Sequence, residues 1–160
     1  MEIRQICIYD RNLKDRYYAT STGLCYTLCK DNRVMIDGER RTVTKHQIRE
    51  AMSSCEGFTV PFKDWGLKVI ILRSGLVMRL LKTFVKPCGS VTVCMFDVNN
   101  KEKRLYVSRV IANTFIAPVE NMEVHHINRD RKDNRCSNLE VMTFEDHRGA
   151  GNHAKNHNQV

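Results

Sequence analysis

The chain has 160 residues, 42% of them hydrophobic, enough for one domain or two small ones. No apolar run approaches the ~18 residues of a membrane span. The N-terminus, Met1-Glu-Ile-Arg-Gln, lacks the apolar stretch of a secretory leader, so a cytoplasmic protein with no membrane partner is expected. The net charge is +8. Residues 121–160 hold six basic and six acidic residues, whereas residues 1–120 hold 20 basic and 12 acidic, so the whole excess lies in the front of the chain and suits a polyanion. The seven cysteines are scattered, with no Cys-x-x-Cys, and read as reduced thiols. Cys25 and Cys29 as a ligand pair is the lesser alternative.

In chain order, residues 1–62 read as a small α+β module. Arg4 to Asp10 is expected as a strand, with Ile6 and Ile8 alternating. Two short strands meet at Gly23 within Tyr17 to Leu28. Thr44 is expected to cap a helix from Lys45 to Ser53 with Ile48, Ala51 and Met52 inward. Arg40, Arg41, Lys45 and Arg49 cluster on or before this helix. They are candidates for backbone contact with a polyanion, against the plainer reading of a solvated face.

Residues 63–103 read as a β-rich, basic module. Strands are expected at Leu67–Arg73, Gly75–Leu81 and Ser90–Val98, with a further strand opening at Lys103 after a turn at Asn99 and Asn100. A weak echo links the two modules. Gly23-Leu-Cys-Tyr-Thr-Leu-Cys-Lys resembles Gly75-Leu-Val-Met-Arg-Leu-Leu-Lys, 52 residues later. Arg41-Thr-Val-Thr-Lys similarly resembles Arg104-Leu-Tyr-Val-Ser-Arg. Residues 1–62 are therefore expected to be a diverged copy of the next module. Ser108 is expected to cap a helix over Arg109–Thr114, with Ile111 and Phe115 packing on the C-terminal unit and Pro118 ending the segment.

Residues 104–160 form the third expected unit. Met122 to Ile127 reads as a strand, the polar run Asn128–Ser137 as a loop, and Leu139 to Thr143 as a second strand. Thr143, three residues before Asp146, is close to a capping box and starts a helix at Phe144. Adjacent strand residues face opposite ways, so an ideal strand cannot aim both His125 and His126 into one site. Either the strand ends or bulges there, or one of them is unused. Beyond His147, Gly149 and Gly151 weaken the helix and the tail is expected to fray.

Asn138 follows His126 by 12 residues and His147 follows Asn138 by nine. Around them stand His-His-Ile, Asp-Asn-Arg and Asn-Leu-Glu-Val-Met-Thr. This pattern resembles the HNH motif of the His-Me finger (ββα-metal) nucleases, closest to the homing endonucleases of phages and mobile introns. The resemblance implies an α+β fold in which a small ββα-metal catalytic unit follows a basic, β-rich DNA-binding region. His126 aligns with the general base that activates water, a task suited to an imidazole, whose ordinary pKa is near ~6.5. Asn138 aligns with the loop-bracing Asn, and His125 and His147 with the metal ligands. Mg²⁺ is the expected metal, and a two-His set also suits Mn²⁺, Ni²⁺ or Zn²⁺. Arg129, Arg131, Lys132, Arg135, Arg148 and Arg104 join Arg40, Arg41 and Lys45 as candidates for DNA phosphates. The family implies double-stranded DNA as partner, 5′-phosphate and 3′-hydroxyl products, and the cytoplasm of a phage-infected or element-bearing host. A monomer would nick and a homodimer would break both strands. Two positions depart from the family. His125 stands where Asp or Asn is common, and Ser108-Arg109-Val110 replaces His-Arg-Leu. The competing readings are a DNA-binding protein on a retired nuclease fold, a non-specific nuclease, and a structural zinc site that adds Cys136 to the histidines. His46, His153 and His157 read as solvated side chains.

Overall fold

A computed structural model of the chain describes residues 1–8, 11–53, 58–59 and 65–149. The expected tail, with Gly151, His153 and His157, lies outside the described residues, as does the end of the expected first strand at Asp10. The order of elements is β1 (Ile3–Gln5), β2 (Tyr17–Thr20), β3 (Cys25–Leu28), β4 (Arg33–Ile36), β5 (Glu39–Thr42), α1 (Lys45–Ser53), β6 (Phe58–Thr59), β7 (Val69–Ile71), β8 (Val77–Leu80), β9 (Thr83–Val85), β10 (Val91–Phe96), β11 (Glu102–Tyr106), α2 (Val107–Phe115), β12 (Glu123–His126) and β13 (Leu139–Met142). Residues 144–149 are helical and are called α3. The fold is mixed α+β, and no described helix is long and apolar enough to cross a membrane.

Most elements lie where the hydrophobic pattern puts them. Thr44 closes a true capping box on α1: Gln47 N–H donates to Thr44 Oγ1 at 3.2 Å, and Thr44 N–H donates to Gln47 Oε1 at 2.9 Å. Four expectations need correction. β1 stops at Gln5, although Ile6 N–H still reaches Tyr17 O at 2.9 Å. Residues 66–68 form a 3₁₀ turn where a strand was expected. Met52 is 42% exposed and does not face the core. Ser108 caps nothing, because β11 runs straight into α2 and the N-cap position is Tyr106, without a side-chain bond. The β4–β5 hairpin, turning on Asp37 (φ 50°) and Gly38 (φ 81°), was not anticipated.

The largest sheet has the order β1-β2-β3-β8-β7-β6 and so joins strands from residues 1–62 with strands from residues 63–103. It is symmetric about its centre. Pairs Tyr17↔Thr27, Tyr18↔Tyr26 and Ala19↔Cys25 recur 52 residues on as Val69↔Arg79, Ile70↔Met78 and Ile71↔Val77. The turn bonds recur at the same offset: Gly23 N–H to Thr20 O (3.1 Å) and Gly75 N–H to Leu72 O (2.8 Å), with φ of +93° and +84° at the two glycines. The central pairing, Tyr26↔Leu80, Thr27↔Arg79 and Leu28↔Met78, maps onto itself, so a local two-fold axis passes through Thr27 and Arg79.

The two main cores obey the same axis. Tyr17, Ala19 and Cys25 are buried with Val93, Met95, Leu105, Val107, Val110 and Ile111. Val69, Ile71 and Val77 are buried with Val34, Ile36, Val43 and Ala51. Each core thus takes strands from one half of the sequence and a hairpin plus helix from the other. The first core continues into Leu139 and, less buried, Val124 and Val141, which fixes the β12–β13 hairpin to the body through α2.

Candidate active site

The hairpin that carries the HNH anchors is built by alternation. β12 and β13 pair antiparallel, with Val124↔Val141, His125↔Glu140 and His126↔Leu139 in register. Leu139 goes into the core and β12 ends at His126, where the chain turns. Arg129 N–H donates back to His126 O at 3.0 Å, and Arg129 takes φ +64°. Ending the strand there resolves the facing problem of neighbouring histidines. Both His125 and His126 line one cleft of about 590 Å³, with Ser90, Tyr106, Ser108, Arg109, Arg129, Arg131 and His147.

The loop behind His126 is held by two buried asparagines. Asn138, 7% exposed, uses its whole amide. Its Oδ1 accepts from Asn128 N–H at 3.0 Å, and its Nδ2 donates to Asn128 Oδ1 and to Asp133 O, both at 2.9 Å. It braces the loop and does not touch His126. Asn134, 6% exposed, does that: its Oδ1 lies 3.0 Å from His126 Nε2, while its Nδ2 is turned to Lys132 O at 3.4 Å. An amide oxygen only accepts, so this assignment places the ring proton on Nε2 and leaves the lone pair on Nδ1. The sequence pattern does not single out Asn134 for this contact. The loop is also tied to the body, since Cys136 N–H donates to Ser21 O at 2.9 Å.

His147 comes from α3, whose first turn is capped by Thr143. Asp146 N–H donates to Thr143 Oγ1 at 3.2 Å, and Thr143 Oγ1 donates to Asp146 Oδ2 at 2.7 Å. Its ring meets that of His125 edge-on, with centroids 5.5 Å apart and planes at 66°. Burial holds the His125 imidazole below its ordinary pKa, and His147 beside it acts the same way; Glu140, opposite it on β13, works against them. His125 is therefore neutral at neutral pH, as a metal ligand must be. The strain of protonating it appears as pH falls below the ordinary histidine value of ~6.5 and on through the depressed one, so its share of stability is kept above that window and lost below it. An NMR titration should give His125 a midpoint below ~6.5, and Glu140→Gln should lower it further.

Two imidazoles this close, one of them held neutral, suit a divalent cation as a pair of nitrogen donors. No group of three or more His, Cys, Asp or Glu side chains converges among the described residues. Cys136 packs against the core and completes no zinc site with the histidines. Cys25 is buried, and burial pushes its thiol up to about 12, which makes it a poor ligand with Cys29.

The candidate cations fall into two groups. Arg129 and Arg131 line the cleft, and Arg131 Nη1 also donates to Cys88 O at 3.4 Å. Lys132, Arg148, Arg40 and Lys45 are exposed. The others are engaged within the protein. Arg135 forms two parallel bonds with Asp133, at 2.8 and 2.7 Å, which holds the Asp133 carboxyl down at about 2. Arg41 bonds Glu39 at 2.9 Å and lies over Trp65, and Arg104 lies over Phe84. Arg109, in the cleft wall, donates to Met122 O at 3.0 Å and Val119 O at 2.7 Å, fixing the approach to β12.

Comparison with known proteins bears on the same hairpin. Residues 105–148 match the family described as HNH endonuclease, a stretch that holds α2, both strands and all three anchors. These residues form an HNH-family domain. A solved structure of DNA binding and cleavage by the HNH homing endonuclease I-HmuI shares the fold, with a TM-score of 0.56 and 16% identity over 98% of this chain. The chain spans 60% of the length of that one. No curated protein matches the chain significantly.

Proposed function

We propose that the chain is a metal-dependent endonuclease that hydrolyses phosphodiester bonds in double-stranded DNA, with homing or site-specific nicking as its role. The observation that carries this reading is His126 itself: it opens into a cleft lined by three arginines and a histidine pair, with one ring nitrogen committed to Asn134.

The chemistry follows from that placement. The free Nδ1 of His126 takes a proton from a water molecule, and the water oxygen attacks phosphorus in line. The bond to the 3′ oxygen breaks, leaving a 5′-phosphate and, after protonation from solvent, a 3′-hydroxyl. Asn134 keeps the imidazole in the tautomer that has Nδ1 free, and Asn138 keeps the loop that carries Asn134. Arg129 and Arg131 hold phosphates next to the scissile one. A divalent cation, Mg²⁺ in the first instance, would be held by His125 and His147 and would supply charge neutralisation at the scissile phosphate. One such site cuts one strand, so a monomer nicks and a homodimer cuts both.

The test is the chemistry of the ends. Supercoiled DNA incubated with the protein and Mg²⁺ or Mn²⁺ should give open circles that DNA ligase reseals without further treatment. Nicks that resist ligase until their ends are repaired would overturn the proposed direction of hydrolysis.

A further inference from the structure

The two-fold axis through Thr27 and Arg79 relates more than a sheet. β1-β2-β3 maps onto β6-β7-β8, and each core pairs strands of one half with the hairpin and helix of the other. α1 and α2 are both nine residues long; α1 follows its hairpin after Val43 and Thr44, and α2 follows its hairpin directly. The hairpins correspond in detail. β4 buries Val34 and Ile36 as β10 buries Val93 and Met95. The outward pair Met35↔Arg40 then stands where Cys94↔Arg104 stands, and Arg33↔Thr42 stands where Thr92↔Tyr106 stands.

In the second half this outward face leads into the cleft. Tyr106 lines the cleft and lies under Lys86, whose Nζ is 4.6 Å from the ring centre and donates to the phenol oxygen at 2.8 Å. Beside it Phe84, 40% exposed, carries Arg104 and Lys82 over its ring at 5.4 and 5.5 Å. Tyr106 thus joins the cleft to this basic, aromatic face.

Among the described residues no hairpin like β12–β13 follows α1 in the first half, yet that half keeps the corresponding face. Arg33 and Arg40 point outward there, exposed, and neither side chain makes a hydrogen bond or ion pair among the described residues. Exposed Lys45 opens the helix after this hairpin. Arg41 projects from the other side of the same strand and is held by Glu39 and Trp65. A cation already paired releases little when it meets a phosphate; an unpaired one on an open face is suited to it.

We propose that residues 3–53 and 58–115 are two copies of one unit, and that the outward face of the β4–β5 hairpin, through Arg33 and Arg40, is a second contact surface for duplex DNA, away from the cleft. This rests on the reading of the chain as a DNA enzyme and adds to it where the duplex is held.

The test is the salt dependence of binding to a long linear duplex of random sequence. Wild type, the double variant Arg33→Gln/Arg40→Gln, and Arg41→Gln are compared, each with its fold checked by circular dichroism. Each lost phosphate contact lowers the slope of log K against log salt by about 0.9. The double variant should lose about two from the slope and bind roughly tenfold more weakly at low salt, while Arg41→Gln keeps the wild-type slope. A double variant with the wild-type slope, or Arg41→Gln losing as much as Arg33 and Arg40 together, would overturn the proposal. A wild type that neither binds nor cuts duplex DNA would remove the nuclease reading along with it.

Discussion

Gly23→Ala should lose much of the protein's stability, and its symmetry mate Gly75→Ala much less. Both glycines close the same turn at positive φ, where an L-residue costs about 1–3 kcal/mol. That part of the effect is common to the two. What differs is the surroundings. A Cβ on Gly23 would lie 2.7 Å from the carbonyl carbon and oxygen of Asn134 and 3.1 Å from Arg135 N, all of them backbone. A Cβ on Gly75 meets nothing closer than Met52 Sδ at 3.7 Å. Backbone cannot rotate away, so Gly23→Ala must push the loop off the body and draw Asn134 from His126. The expected result by urea denaturation is a loss of about 1–3 kcal/mol for Gly75→Ala and clearly more for Gly23→Ala. Gly23→Ala should also cut more slowly than its remaining folded fraction accounts for. Equal losses in the two variants would mean that the turn does not bear on the loop.

His126→Ala should slow single-turnover cleavage by about 10²–10⁴-fold, the usual worth of a positioned general base. The ring is only partly buried and, among the described residues, its side-chain bond is to Asn134, so its removal leaves the strand pairing and the Leu139 core contact in place. DNA affinity should stay within a few-fold of wild type, because the arginines that line the cleft remain. A loss in affinity as large as the loss in rate would make His126 a binding residue. Asn134→Ala should fall between wild type and His126→Ala, since it frees the tautomer and keeps the imidazole.

The motif residues were legible in the sequence by identity and spacing: the structure brings His125, His126 and His147 to one cleft and sets Asn138 in the loop behind it, while their roles as base, bracing amide and ligand pair belong to the proposal. Asn134 was hidden because its contact with His126 crosses an irregular loop, where no period marks which side chain turns inward. The β4–β5 hairpin was hidden because all four residues of β5 are exposed, which leaves no alternation to read. Its Asp37-Gly38 turn was the one signal available. Ser108 was misread as a cap because a Ser before a helical run normally follows a loop, and here a strand precedes it without a break. The two-fold relation showed in the sequence as a short echo around Gly23 and Gly75; the second echo, of Arg41 with Arg104, was out by one residue, since Arg40 stands where Arg104 stands. Reciprocal packing is a property of long-range contacts: Tyr17 is buried with Val93 and Met95, and Val69 with Val34 and Ile36, each across the two halves of the sequence.

The most direct measurement is conversion of supercoiled DNA, taken from the chain's own genomic neighbourhood, by purified wild-type protein in Mg²⁺ and in EDTA, with binding read from the same reactions. Open circles or linear product in Mg²⁺ and none in EDTA is the predicted result. Binding in both with product in neither would contradict the central claim and leave a DNA-binding protein built on a nuclease fold.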